Sequence, residues 1–223
     1  MINNKLRYDI NTVLERFNNL NLFTYPKSKI TSFDDLLNYL YDNIKLVIIN
    51  QQPLIRPDSS GLSCFYNSDL QMTPNYEIHN FHSLLGTDYN KNKPYYIQED
   101  ILFLNMSLTV GVDGENHYNY WKDITSFILQ YVTKQSQPIV LSIGGESTHD
   151  FAKMCSYRPL LVNSYIDSNI PIEHLPLDHT YIIECGNITL PTHKYKVIID
   201  ELQPKILVNE LLSHKKIKNI NWL

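Results

Sequence analysis

The sequence predicts an α/β protein of three layers, α/β/α, around a central four-stranded parallel sheet. Two observations carry this. Four short runs are apolar on consecutive rather than alternate positions: Leu46–Asn50 (LVIIN), Ile101–Asn105 (ILFLN), Pro138–Ile143 (PIVLSI) and Thr180–Glu184 (TYIIE). That is the pattern of strands buried on both faces. Stretches with helical apolar spacing separate them, and strand–helix alternation calls for right-handed crossovers and a sheet covered on both sides.

In chain order, residues 1–30 read as an N-terminal helical extension and 31–223 as the domain proper. Ser32 is an N-cap for a helix with Phe33, Leu36, Leu37 and Leu40 on one face. The stretch from Tyr118 to Tyr131 sets Trp121, Ile124, Phe127, Ile128 and Tyr131 at helical spacing. Val197 to Leu212 does the same with Ile198, Leu202, Ile206, Leu207 and Leu211, but Pro204 should break or restart that helix.

Composition narrows the class. The chain has 223 residues, 43% hydrophobic and 19% charged, enough to bury a core without staples. No apolar run approaches the length that spans a bilayer. Met1-Ile-Asn-Asn-Lys opens without a secretory apolar region, so the expectation is an intracellular protein, cytoplasmic or nuclear, and not a secreted one. Cys64, Cys155 and Cys185 cannot all pair and show no metal-ligand spacing. His79 and His82 share one predicted helix without a third ligand, so no metal site is expected. The net charge of −4 runs against a dedicated nucleic-acid binder but permits a local basic patch. Lys215-Lys216-Ile217-Lys218 is such a run, read as a solvated face with a phosphate contact as its functional alternative. Twenty-three Asn against one Ala, and fifteen Lys against four Arg, point to AT-rich codons.

In parallel sheets, ligands bind outside the carboxyl ends of the strands. The segments there are Asn50–Gly61, Asn105–Val110, Gly144–Ser147 and Cys185–Pro191. In this order they resemble family 1 uracil-DNA glycosylases. That family ends its first strand in Gly-Gln-Asp-Pro-Tyr-His and follows with Gly-Leu-x-Phe. Here Asn50-Gln51-Gln52-Pro53-Leu54-Ile55 precedes Gly61-Leu62-Ser63-Cys64-Phe65. A Pro-rich segment precedes the next family helix, matched by Thr73-Pro74-Asn75-Tyr76 ahead of Ile78–Leu85. The family Leu-Leu-Leu-Asn with Leu-Thr-Val is matched by Leu102–Asn105 with Leu108-Thr109-Val110. His117 and Trp121, and the closing Ile220-Asn221-Trp222, look most like the poxvirus branch, whose members also serve in a polymerase processivity factor.

The resemblance implies breaking an N-glycosidic bond after the base has left the stack. A carboxylate would stabilise the sugar cation, an imidazole the departing uracil anion, an amide would read the base edge and a ring would stack on it. Asn105 matches the edge-reading Asn, with the donor and acceptor that uracil requires. Phe65 is the candidate stacking ring and Gln51 keeps the family Gln. Gly144, Gly145 and Ser147, with Pro74, Asn187 and Leu190, fall where the family contacts DNA, Leu190 being either a wedge or packing under its own loop.

Departures fall on the catalytic positions. Gln52 replaces the carboxylate and carries no charge. Leu54 and Ile55 replace the following Tyr and His. Asp58 is the nearest substitute carboxylate, although a loop Asp before Ser-Ser-Gly also reads as a turn former. The family His falls at Asn187 or Pro191, and His193 is the nearest imidazole. Cys185 after a strand has no His partner that would make it a nucleophile. The expectation is therefore a glycosylase-fold protein with lost or very weak excision, binding DNA or a replication protein. An active divergent glycosylase and a pure protein scaffold are the alternatives. No cofactor, metal or membrane partner is expected.

Overall fold

The computed structural model describes residues 2–19, 24–25, 43–55, 76–85 and 100–222. The helix expected from Ser32 lies outside them, as do Asp58, Phe65 and Pro74. Helix α1 (Ile2–Asn19) is followed by the short strand β1 (Thr24–Tyr25), then β2 (Leu46–Asn50), α2 (Tyr76–Leu85), β3 (Ile101–Asn105) and β4 (Val110–Gly111). The chain continues with α3 (Tyr118–Ser136), β5 (Ile139–Ser142), α4 (Glu146–Cys155), β6 (Pro159–Leu161) and α5 (Val162–Asp167). A 3₁₀ turn (Ile172–His174), β7 (Thr180–Glu184), α6 (Thr192–Leu202) and α7 (Pro204–His214) complete it.

The sheet has five strands, not four, in the order β3-β2-β5-β7-β6, all parallel. The four expected strands are its first four members. The added edge strand β6 is only Pro159-Leu160-Leu161, half-exposed, and opens on a proline. It lacks the buried run that marks the others, and an edge strand tolerates a proline because one side of its ladder is unused. β1 and β4 form a separate antiparallel pair.

Every residue of β2, β3 and β5 is buried, so both faces of the sheet are covered. Contacts group α1, α3 and α4 together, and α2, α6 and α7 together. The first set packs through Trp121, Ile128 and Phe151, with Tyr118 edge-on to Phe151. In the second, Phe81 of α2 meets Phe103 of β3 with ring centroids 6.0 Å apart. Phe127, expected on the buried face of α3, is instead exposed.

Pro204 acts as expected. Gln203 takes a left-handed conformation, φ 46°, and Pro204 starts α7 at its first turn, where a missing N–H costs nothing. The restart rotates the apolar face, burying Leu207 and Leu211 but leaving Ile206 55% exposed. Lys215 also departs from expectation. Its ammonium donates to the carbonyls of Gln137 (2.9 Å) and His179 (2.6 Å) and lies 4.4 Å from the centre of the Tyr181 ring. Those carbonyls precede β5 and β7, so Lys215 clamps the amino end of the sheet, opposite the expected cleft. Burial pushes its pKa down to about 8, with Asp178 opposing. Lys216 and Lys218 are exposed. Among the described residues, no helix is long and apolar enough to cross a membrane.

Candidate functional site

The strand order reverses between β2 and β5: the chain leaves β2 for β3 on one side and returns to β5 on the other. Ligands bind at such switch points, and here the strand-end segments are joined by further hydrogen bonds. Beyond β2 and β3, the Met106 amide donates to Asn50 O (2.9 Å) and the Ser107 amide to Gln51 O (3.0 Å). Beyond β5 and β7, the Cys185 amide donates to Ser142 O and the Ile188 amide to Ile143 O (2.8 Å). The pairing continues past the strands, so these segments form one rigid floor.

Asn105 closes β3, the residue 1% exposed and level with Asn50 across the ladder. Gln51 and Gln52 are half-buried. The Asn50 amide donates to Gln52 O (3.3 Å), fixing the first bend after β2. Leu54, at the family Tyr position, packs into the core, whereas Ile55 is 49% exposed. Residues 106–110 are buried and held from α3. Thr125 Oγ1 donates to Met106 O (2.9 Å), and Trp121 Nε1 donates to Thr109 Oγ1 (2.7 Å). His117 Nδ1 lies 3.0 Å from that hydroxyl. Burial lowers the His117 pKa, against the opposing pull of Glu115 and Asp113, which favours neutral imidazole. The motif His117 and Trp121 therefore anchor this segment.

Gly144 and Gly145 permit the close approach at the switch point. A Cβ on Gly144 would stand 2.8 Å from the Gln51 backbone nitrogen and 2.1 Å from Thr148 Oγ1. Gly145 has φ 79° and ψ −163°, a region open essentially to glycine. Its Cβ would meet the Asn187 side chain at 3.1 Å. Helix α4 starts next, so Glu146 and Ser147 are exposed at its first turn.

The turn after β7 is built by asparagines. Asn187 bridges Gly144, and its Oδ1 accepts from the Thr189 amide (2.9 Å) and hydroxyl (2.8 Å). Asn80 of α2, fully buried, donates through Nδ2 to the Ile188 and Leu190 carbonyls, both at 2.7 Å. Asn163 grips β7 on its open edge: Oδ1 accepts from the Glu184 amide (2.8 Å) and Nδ2 donates to its carbonyl (3.1 Å). Sequence reading passed over both Asn80 and Asn163, since an amide that grips a distant backbone leaves no periodic trace. Leu190 is half-buried and packs against the core. His193 is exposed on the first turn of α6. Burial, with Glu184 alongside, raises the Cys185 thiol, which disfavours the thiolate a nucleophile needs.

Thus Gln51, Gln52, Asn105, Gly144, Gly145, Ser147 and Asn187 lie on segments meeting at one end of the sheet. Glu146 stands on the first turn of α4, and His149 lies 4.0 Å from Glu184 at the end of β7. Among the described residues, no group of three His, Cys, Asp or Glu residues is placed to hold a metal. An open groove of about 670 Å³ beside α7, lined by Glu173, Ile206, Glu210 and His214 among others, contains none of these site residues.

No family model matches the chain. It is 26% identical over 209 residues to a uracil-DNA glycosylase of Dictyostelium discoideum, covering 88% of this chain and 52% of the relative. A uracil-DNA glycosylase of Flavobacterium johnsoniae is 25% identical over 132 residues, 54% of this chain and 58% of the relative. The chain thus spans just over half the length of these relatives. The solved structure of mimivirus uracil-DNA glycosylase superposes with a TM-score of 0.65 at 14% identity, over 95% of this chain and 79% of that one. A variant of the mimivirus protein in complex with UGI gives 0.64 at 15% identity, over 95% and 80%. The chain is similar to uracil-DNA glycosylases in sequence, and its fold is theirs.

Proposed function

We propose that this chain is a DNA-binding protein of the uracil-DNA glycosylase fold in which base excision is lost or severely reduced. The observation that carries this is Gln52. It follows β2 where the chemistry needs a carboxylate, and a neutral amide cannot stabilise a sugar cation. The turn after β7 supplies a second reason, since residues 185–191 contain no imidazole for the departing base. The retained role is binding, to DNA or to a replication protein. Asn105 reads the base edge in this account, with Phe65 as the stacking ring.

The test is excision from single-stranded DNA containing uracil, where no base has to leave a duplex. Each lost charge or donor lowers the rate by about 10²–10³, so the expected signal is near background. Gln52→Asp is expected to raise it. Rates like those of an ordinary glycosylase would overturn the proposal and favour the divergent active enzyme, with Asp58 and His193 tested by Asp58→Asn and His193→Ala. A gel shift at rising salt separates DNA binding, with its steep salt dependence, from a pure protein scaffold.

A further inference from the structure

We infer that Asn80 is a positioning residue: its buried amide sets the turn after β7 so that its outer edge is presented to duplex DNA. The inference rests on reading the carboxyl-end floor as a DNA surface. Nδ2 of Asn80 spends both hydrogens on one short turn, on the carbonyls of Ile188 and Leu190, which flank Thr189. Those carbonyls are drawn inward toward α2. The opposite side of the same turn is closed by Asn187, whose Oδ1 takes the Thr189 amide and hydroxyl and whose carbonyl takes the Leu190 amide. Gripped from both sides, the turn leaves Thr189 exposed and Leu190 half-buried. The grip also joins two segments more than a hundred residues apart, the helix α2 and the last strand-end turn. Both hydrogens of the buried Nδ2 are satisfied by these carbonyls, while Oδ1 is buried without a hydrogen-bond partner among the described residues, so the side chain's hydrogen bonds all go to this turn. A carboxylate there would face the two carbonyls with no hydrogen to donate, and the turn would have to move.

The variants are Asn80→Asp and Asn80→Ser, the second keeping one hydroxyl donor and keeping the test alive if the first does not fold. Ile128→Val, in the α3 core, serves as a control for general destabilisation. Hydrogen exchange at the Thr189 and Leu190 amides reads the turn directly, without DNA. Exchange is expected to quicken by about tenfold or more in Asn80→Asp and by less in Asn80→Ser. The affinity for a uracil-containing duplex, relative to the same single strand, is expected to fall about fivefold in Asn80→Asp and to stay unchanged in Ile128→Val, since a net hydrogen bond is worth about that factor. Unchanged exchange at those amides overturns the inference, as does an equal loss of duplex preference in the control. If the unaltered protein binds neither form of DNA, the DNA reading fails. Exchange then decides alone whether Asn80 sets the turn.

Discussion

Asn105 stands directly across from Asn50 on the last rung of the β2–β3 ladder. Two asparagines thus end neighbouring parallel strands at one level, next to the switch point. Just beyond this rung the Met106 and Ser107 amides donate to the carbonyls of Asn50 and Gln51, so the Asn105 side chain has a rigid base.

That rigidity leads to a binding prediction. Asn105→Ala is expected to remove discrimination between a uracil-containing strand and one with an abasic site. The loss should be about 1–3 kcal/mol, as for one well-formed amide–base pair. Competition between the two oligonucleotides measures it, and equal discrimination before and after would remove Asn105 from the pocket.

Glu146 predicts weak DNA binding that a mutation can strengthen. Its carboxylate sits on the first turn of α4, where the positive end of the helix would attract a phosphate. Glu146→Gln is expected to raise DNA affinity by a few-fold, and Glu146→Lys further, steepening the log–log salt dependence by about one unit. No change in slope for Glu146→Lys would place DNA elsewhere.

The glycines predict a stability cost without chemistry. Gly144→Ala forces a Cβ against backbone and is expected to destabilise by about 1–3 kcal/mol. Gly145→Ala adds backbone strain of about 1–3 kcal/mol. Urea denaturation measures both, and a shift within experimental error in either would contradict the close approach of the β2, β5 and β7 ends.

His117 predicts an acid-side loss of stability. Its folded pKa lies below the ordinary value of 6.5 because the ring is buried. Between the folded and unfolded values the unfolded chain binds more protons, so stability rises with pH in that window and falls as pH drops below about 6.5. His117→Asn is expected to lower stability at pH 7 but flatten this part of the profile. Denaturation midpoints between pH 5 and pH 7 decide it.

Lys215 is expected to matter far more than its neighbours. Lys215→Met removes a charged donor from two carbonyls and should cost about 2 kcal/mol. Lys216→Met and Lys218→Met, on exposed side chains, should stay within about 0.5 kcal/mol. Equal effects would return the run to a solvated face.

By itself, the sequence determined the four central strands to within one residue at each end, the break before Pro204 and the family likeness of the strand-end segments. Each rests on a local cause: burial on both faces marks a central parallel strand, and a proline cannot continue a helix. Only the tertiary structure decided the rest. β6 is a strand because β7 has an open edge for Pro159–Leu161 to join, which nothing in those three residues announces. Lys215 is a clamp because Gln137 and His179 meet beneath it. Asn80 and Asn163 act on backbones 108 and 110, and 21, residues away. Such bonds depend on where the chain returns to itself, and a side chain's capacity to make them is the same wherever its residue type occurs.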